Sequence, residues 1–235
     1  MRRIRELVAA TRQINPSDPF FDRFEESCRE NTAKKKAYRT YDGAFRELDR
    51  ESWEVLKAKA LKHFRDHRTG QLKQGFFNQL NKAFAYRHLV RQGHCRVKLL
   101  AEQGRLVPDL QYFDGGLLRH CEVKTIGISD EEISRRSSRE VFTNTYLRLS
   151  EGFLKKLADA IAKARTQIAA QSTSGLVYLL VLLDDIALGY YQDYRRQLAQ
   201  FTQDKKIDDV HIKFGLRFNR HMRLTSACNL RRPVG

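Results

Sequence analysis

The sequence has few of the residues that would cross-link a small fold or hold a chain in a membrane. Its 235 residues include four cysteines, which lie far apart without a Cys-x-x-Cys pair, so we expect reduced thiols rather than a disulfide framework. No apolar run approaches the length of about 18 residues that a transmembrane helix needs. The N-terminal stretch has only Leu-Val-Ala-Ala where a secretory signal needs a longer apolar core. These absences predict a cytoplasmic protein without membrane contact.

Metal-ligating residues of the zinc type are also scarce. Two cysteines follow a histidine directly, at His94-Cys95 and His120-Cys121. Adjacent side chains on a strand point to opposite faces, and neither pair has the ligand spacing typical of zinc sites. We therefore expect ordinary core or surface residues at these positions.

Acidic residues are too few to balance the basic ones. The chain has 44 Lys and Arg against 28 Asp and Glu, which gives a net charge of +16. A field of this sign and size favours a polyanion as partner. Acidic lipid is the weaker alternative, because no basic amphipathic helix with a strong apolar face stands out. We expect a nucleic acid, with DNA as the first choice, and the sequence leaves a homodimer open.

The chain divides into a polar helical extension over residues 1–69 and a second domain over residues 70–235. Breaks are expected at Asn15-Pro16 and Asp42-Gly43, and Thr69-Gly70 is expected to end the last helix of the extension. The clearest helix covers residues 44–67. Its apolar stripe recurs at near-helical spacing and comprises Phe45, Leu48, Ser52, Leu56, Ala60 and Phe64.

From residue 74 onwards helical and strand patterns alternate. A helix over 75–92 ends at Gly93, a typical C-terminal signal. The pattern then predicts strands at 94–101, 106–113 and 117–126, a helix over 149–170, a strand over 175–185, a helix near 190–203 and a last strand at 208–214. The order α-β-β-β-α-β predicts an α/β fold with a mixed sheet flanked by helices. Residues 176–183 are apolar throughout, as expected for a central strand covered on both faces.

The second and third predicted strands form a hairpin with three charges on one face. Gly115-Gly116 suits a two-residue hairpin turn, and that loop places Asp109 directly opposite Glu122. With Asp114-Gly115 as the loop, the two carboxylates are diagonal neighbours instead. Strand side chains alternate with a period of two, so either register keeps Asp109, Glu122 and Lys124 on the same face.

Two carboxylates facing each other across a strand pair are destabilising unless a cation lies between them. Hard oxygen ligands suit Mg²⁺, which binds through one or two carboxylates plus a substrate phosphate. Lys124 would then lie beside a metal-bound water, where it helps to orient or deprotonate that water and stabilises charge on the phosphate. The hairpin therefore predicts a site for phosphodiester hydrolysis.

The motif resembles that of the PD-(D/E)xK nuclease superfamily, which has the restriction-endonuclease-like fold. It consists of Pro108-Asp109, twelve intervening residues, and Glu122-Val123-Lys124. The similarity covers roughly residues 74–185: a helix, a three-strand meander, a helix and a buried strand. The resemblance implies that Asp109 and Glu122 bind Mg²⁺, with Mn²⁺ as a substitute, and that Lys124 assists the attacking water. The function implied is that of a Mg²⁺-dependent deoxyribonuclease, expected to be an endonuclease.

One feature departs from the family pattern. Many members carry a further acidic residue on the helix before the meander, and residues 74–92 contain no Asp or Glu. Gln79 or Asn78 would occupy that place, whereas counting backwards from Gly93 favours Lys82. This departure keeps open a noncatalytic nucleic-acid-binding protein on the same fold, and a third reading is an interaction protein with an acidic partner.

Further residues are expected around the hairpin. On the helix after it, Gln167 is placed at the edge of the site and Lys156 is a possible phosphate contact. Arg135, Arg136 and Arg139 follow the motif strand and are possible nucleic-acid contacts.

Overall fold

The computed structural model describes residues 1–65, 73–101, 106–127, 148–172, 174–182, 190–205 and 207–215, together with the backbone of 220–224. In these residues, five α-helices precede the sheet: α1 (Arg2–Ile14), α2 (Phe24–Glu30), α3 (Thr32–Phe45), α4 (Arg50–Lys62) and α5 (Gln74–Arg91). A 3-10 turn, Pro19–Phe21, lies between α1 and α2, close to the break expected at Asn15-Pro16.

The helix predicted over residues 44–67 is in fact the end of α3 followed by α4. Asp49 begins α4, and its side chain accepts a hydrogen bond from the Ser52 N–H at 2.7 Å, a typical N-terminal cap. The predicted apolar stripe is nevertheless correct, since all six of its residues are buried. Tertiary packing on both sides of the break therefore reproduces the spacing of one continuous helix. The expected helix end at Thr69-Gly70 lies outside the described residues.

The break expected around Asp42-Gly43 lies a few residues later, because both residues are within α3, which ends at Phe45, and α4 begins at Arg50. Asp42 is buried, accepts a hydrogen bond from the Ile4 N–H at 3.2 Å and pairs with the N-terminal ammonium at 3.5 Å. These contacts with α1 hold the segment in helical form and outweigh the low helix propensity of Asp and Gly.

The sheet has six strands in the order in which they occur in the chain. The elements are β1 (Cys95–Leu99), β2 (Leu110–Asp114), β3 (Leu117–Ile126), α6 (Glu151–Ala169), β4 (Gly175–Val181), α7 (Tyr191–Lys205), β5 (Val210–Phe214) and β6 (Arg220–Leu224). β3, β4 and β5 are mutually parallel, and the other neighbours are antiparallel. The predicted α/β fold with a mixed sheet flanked by helices is confirmed. The finer restriction-endonuclease-like core stays a prediction.

The central strand β4 is covered on both faces. Its residues 177–181 are at most 1% exposed, as predicted for the apolar run. Tyr178 and Leu180 pack in a core shared with α1–α5, whereas Val177, Leu179 and Val181 pack in a second core shared with α6 and α7. The sheet therefore separates two helical layers.

Gly175, at the start of β4, lies where no side chain fits. A Cβ atom there would be 2.2 Å from the His120 carbonyl oxygen on β3 and 2.8 Å from the Ile168 Cγ2 on α6. Those distances are far below van der Waals contact, so only glycine allows the backbone to approach this closely. The approach fixes the pairing of His120 with Gly175 from which the parallel β3–β4 register continues.

The helices of the predicted extension share one hydrophobic core with α5 and β1–β4. The predicted division at residue 69 falls in residues 66–72, which the structure does not describe, so it stays a prediction. Among the described helices, none combines the length and apolarity needed to span a bilayer.

A buried chain of hydrogen bonds joins α3, α5 and β3. The Tyr41 hydroxyl donates to Asn81 Oδ1 at 2.8 Å, and Asn81 Nδ2 donates to Thr125 Oγ1 at 3.0 Å. Tyr41 and Asn81 are at most 2% exposed. Asn81 Oδ1 therefore depends on the Tyr41 hydroxyl for its hydrogen bond. The other end of the chain, Thr125, is the residue that follows Lys124 in β3.

Tyr41→Phe should lower the free energy of unfolding by about 1–3 kcal/mol, because it leaves the buried Asn81 Oδ1 without its donor. The measurement is urea unfolding. Tyr38→Phe is the matched control on the same helix: the Tyr38 ring packs on Phe24 at 4.9 Å, and no hydrogen bond of its hydroxyl is found in the described part of the chain. Equal losses in the two variants would contradict the predicted role of the chain.

Candidate functional site

The turn that brings the candidate residues together is built on two glycines. Gly115 and Gly116 have φ angles of +57° and +85°, the left-handed conformations that a two-residue hairpin turn requires and that glycine adopts most readily. Leu110 pairs with Cys121 and Asp114 with Leu117. This is the register predicted for a Gly115-Gly116 loop.

The backbone of the hairpin holds both carboxylates in place. The Asp109 N–H donates to Glu122 Oε2 at 3.1 Å, and the Val123 N–H donates to Asp109 Oδ2 at 3.1 Å. The Asp109 carbonyl accepts a hydrogen bond from the Leu100 N–H at 3.0 Å, which ties the segment to the end of β1. Asp109 and Glu122 are therefore directly linked across the strands, as expected from the register.

Lys124 lies on the same face as Glu122. Its Nζ donates to Glu122 Oε1 at 2.7 Å and also to Gln167 Oε1 on α6. The structure thus brings Gln167, predicted at the edge of the site, into direct contact with the lysine of the motif. The functional roles of both residues stay predictions.

A second lysine reaches the site from α5. Lys82 Nζ lies 2.6 Å from Asp109 Oδ1, and both side chains are about 10% exposed. Of the three residues considered for the place of the missing helix carboxylate, Lys82 is therefore the one in contact with the hairpin. Gln79 lies one turn earlier and is half-buried, and its buried Oε1 has no hydrogen-bond partner among the described residues. Asn78 is half-buried, and no contact with the hairpin is found for it in the same residues.

The site is electrostatically balanced but costly to bury. Asp109 and Glu122 are only 7% and 3% exposed. Their carboxylates face the ammonium groups of Lys82 and Lys124. Burial, and then the neighbouring charge of Asp109, raise the pKa of Glu122 to about 7, against the opposing effects of Lys124 and Lys82. The lysines therefore offset only part of the cost of burying the second carboxylate.

The two carboxylates would offer oxygen ligands to at most one hard divalent cation. Every oxygen of the two carboxylates already accepts a hydrogen bond or ion pair, but a carboxylate oxygen has two lone pairs and can bind a cation in addition. No group of three or more His, Cys, Asp or Glu side chains suited to a metal is found in the described ranges. A cation at Asp109 and Glu122 would thus complete its shell with water and substrate oxygens, as Mg²⁺ commonly does.

No protein-family model, curated protein or solved structure matched the chain. The PD-(D/E)xK assignment therefore stays a prediction based on the motif and its geometry.

The predicted nucleic-acid contacts fall into two groups. Arg135, Arg136 and Arg139 lie outside the described residues. Lys156 is exposed on α6 and lines a cavity beside Lys124. Sequence reasoning missed Lys155 and Lys163, which line the same cavity; the available signal was that Lys163 lies seven positions, or about two helical turns, after Lys156.

Glu122 makes stability depend on pH. Its pKa in the folded protein, about 7, exceeds the ordinary value of 4.5, so the folded state keeps a proton that the unfolded chain releases. This contribution is fully present below pH 4.5 and is lost as the pH rises through about 7; its size is at most about 3 kcal/mol.

Glu122→Gln should therefore gain stability relative to the original protein between about pH 5 and about pH 8. Urea unfolding across that range measures the effect. Glu30→Gln, at an exposed position that ends α2, is the control for removing one carboxyl group outside the hairpin. Parallel pH profiles for Glu122→Gln and the original protein would show that Glu122 titrates normally.

Proposed function

We propose that the chain is a Mg²⁺-dependent nuclease that hydrolyses DNA phosphodiester bonds, with Mn²⁺ as a substitute cation. Asp109 and Glu122 would hold the cation, and Lys124 would assist the attacking water. The observation that carries the proposal is the hairpin face: two buried carboxylates are hydrogen-bonded across two strands, and a lysine is held against one of them.

The carboxylates are positioned before any substrate arrives. The Val123 N–H fixes Asp109, and the Asp109 N–H fixes Glu122, so their oxygens need little reorganisation during the reaction. Preorganised groups of this kind stabilise developing charge more effectively than mobile ones. Bound Mg²⁺ would lower the pKa of a coordinated water and neutralise charge on the phosphate.

Lys124 would act as a hydrogen-bond donor. Its ammonium donates to Glu122 and Gln167, and a protonated lysine has no lone pair with which to accept a proton. In this state Lys124 would orient the attacking water and stabilise negative charge on the phosphate oxygens. Gln167 would position the ammonium from the side of α6.

DNA is the substrate class that we propose. The net charge of +16 supports a polyanion in general. The preference for DNA over RNA, and for internal cleavage over cleavage from an end, rests on the family resemblance.

The test is cleavage of plasmid DNA by the purified chain with Mg²⁺ and with EDTA. Asp109→Asn, Glu122→Gln and Lys124→Gln should each lower the cleavage rate about 10²-fold or more, and EDTA should abolish cleavage. The matched control is Asp204→Asn, because Asp204-Lys205-Lys206 repeats the acid-x-Lys pattern at the end of α7. Cleavage that persists in EDTA, or at full rate in the Asp109 and Glu122 variants, would refute the proposed site.

The alternative is a nucleic-acid-binding protein without catalysis. The observation in its favour is that each carboxylate already has an ammonium partner, Lys82 for Asp109 and Lys124 for Glu122. In this alternative the lysines take the place of the metal permanently, and the site contributes to stability rather than chemistry.

Lys82→Gln distinguishes the two functions. In the nuclease, Lys82 competes with the cation for Asp109, so its removal should tighten Mg²⁺ binding about fivefold or more, because it leaves a buried carboxylate without its ionic partner until the cation binds. Isothermal titration calorimetry measures the binding, and adding Asp109→Asn to Lys82→Gln should abolish the gain. No Mg²⁺ binding in either Lys82→Gln or the original protein, with DNA binding retained, would favour the noncatalytic alternative.

A further inference from the structure

A cavity of about 420 Å³ lies beside Lys124, between the end of β3 and α6. Its α6 side includes Gly152, Lys155, Lys156, Asp159 and Lys163. This cavity adjoins the hairpin site through Lys124, which takes part in both.

The cavity is formed by one continuous face of α6. Its residues 152, 155, 156, 159 and 163 follow the spacing of three and four positions that places side chains on one side of a helix. The opposite face carries Leu157, Ile161, Ala164 and Ile168, which are buried against the sheet. Packing of the apolar face therefore fixes the direction of the lysines.

The electrostatic character of the cavity differs from that of the hairpin site. Four lysines line it, counting Lys124, against a single carboxylate at Asp159. Because Lys124 already pairs with Glu122, the other three lysines and Asp159 leave two positive charges unbalanced in the lining. This excess of positive charge favours binding of an anion in the cavity.

The start of α6 adds to this field. The helix begins at Glu151, and the first turn of a helix carries a partial positive charge. At Gly152 the nearest atom to a hypothetical Cβ is Ser150 Oγ, at 3.9 Å. The space beside the helix backbone is therefore open at the position where Gly152 lines the cavity.

We propose that this cavity binds a backbone phosphate of the DNA strand whose neighbouring phosphate lies at Lys124. The proposal rests on the proposed function for the identity of the polyanion. Lys155, Lys156 and Lys163 supply the charge, and Lys124 provides continuity with the hairpin. Contacts to phosphate alone carry no sequence information, so binding at this cavity is independent of base sequence.

The test is binding of a labelled single-stranded DNA oligonucleotide in EDTA, followed by fluorescence anisotropy at several salt concentrations. The triple variant Lys155→Gln, Lys156→Gln, Lys163→Gln should flatten the dependence of log K on log salt by about 0.7, the contribution of one phosphate contact on a single strand. The control replaces Lys34, Lys35 and Lys36, a run at the start of α3, with glutamine. That control removes the same charge and should keep a steeper slope than the cavity variant.

A second variant separates loss of the binding site from loss of the folded state. Gly152→Leu places a side chain in the cavity, and leucine is a better helix former than glycine. It should weaken oligonucleotide binding severalfold while Tm stays unchanged or rises. Equal slopes for the cavity and α3 variants, or full affinity in Gly152→Leu, would overturn the proposal.

The outcome is separable from that of the proposed nuclease, because binding is measured without metal or cleavage. If the original protein cleaves DNA and the cavity variants bind it normally, the cavity proposal fails alone. If the variants lose binding while the original protein never cleaves, the nuclease proposal fails alone. If the original protein binds no oligonucleotide in EDTA, the cavity proposal fails, and the nuclease proposal is decided by the cleavage assay.

Discussion

The reciprocal hydrogen bonding of Asp109 and Glu122 to the hairpin backbone is the constraint around which the surrounding structure is arranged. Two like charges are held side by side in a buried position, and such an arrangement is unfavourable without compensation. Lys82 from α5 and Lys124 from β3 supply that compensation. A helix from each layer therefore supports the pair of carboxylates. Helix α5 contacts Asp109 directly through Lys82, and α6 holds Lys124, the partner of Glu122, through Gln167.

Much of this arrangement could be predicted from local sequence. The turn at Gly115-Gly116 fixes the register, and the register places Glu122 opposite Asp109, because strand side chains alternate strictly. The apolar run of β4 similarly predicts a strand covered on both faces. These features depend on neighbours in the chain or on a single strand pairing, which the pattern of residues determines.

Features that depend on distant contacts were harder to predict. The break before α4 was missed because residues on both sides of it face one core, and the helical placement of Asp42 depends on contacts with the start of the chain. β6 was not predicted, since its sequence, Arg-His-Met-Arg-Leu, has only two apolar residues among three basic or imidazole side chains. The choice of Lys82 over Gln79 required the direction of α5 relative to the hairpin, which spacing within the helix does not provide.

The close packing at Gly175 affects how mutations near the hairpin site would be interpreted. A Cβ atom at Gly175 would collide with the His120 carbonyl on β3 and with Ile168 on α6, and Ile168 is the chain neighbour of Gln167. A methyl group at this position would push the helix and the strand apart, and the separation would reach Lys124 through its bond to Gln167. A screen for loss of the proposed nuclease activity would therefore recover Gly175 together with Asp109, Glu122 and Lys124, although Gly175 has no side chain with which to contact a substrate. Such a variant would lose activity because Lys124 is displaced, not because a functional group is missing. A second substitution that restores the spacing between α6 and β3 would be expected to recover the activity.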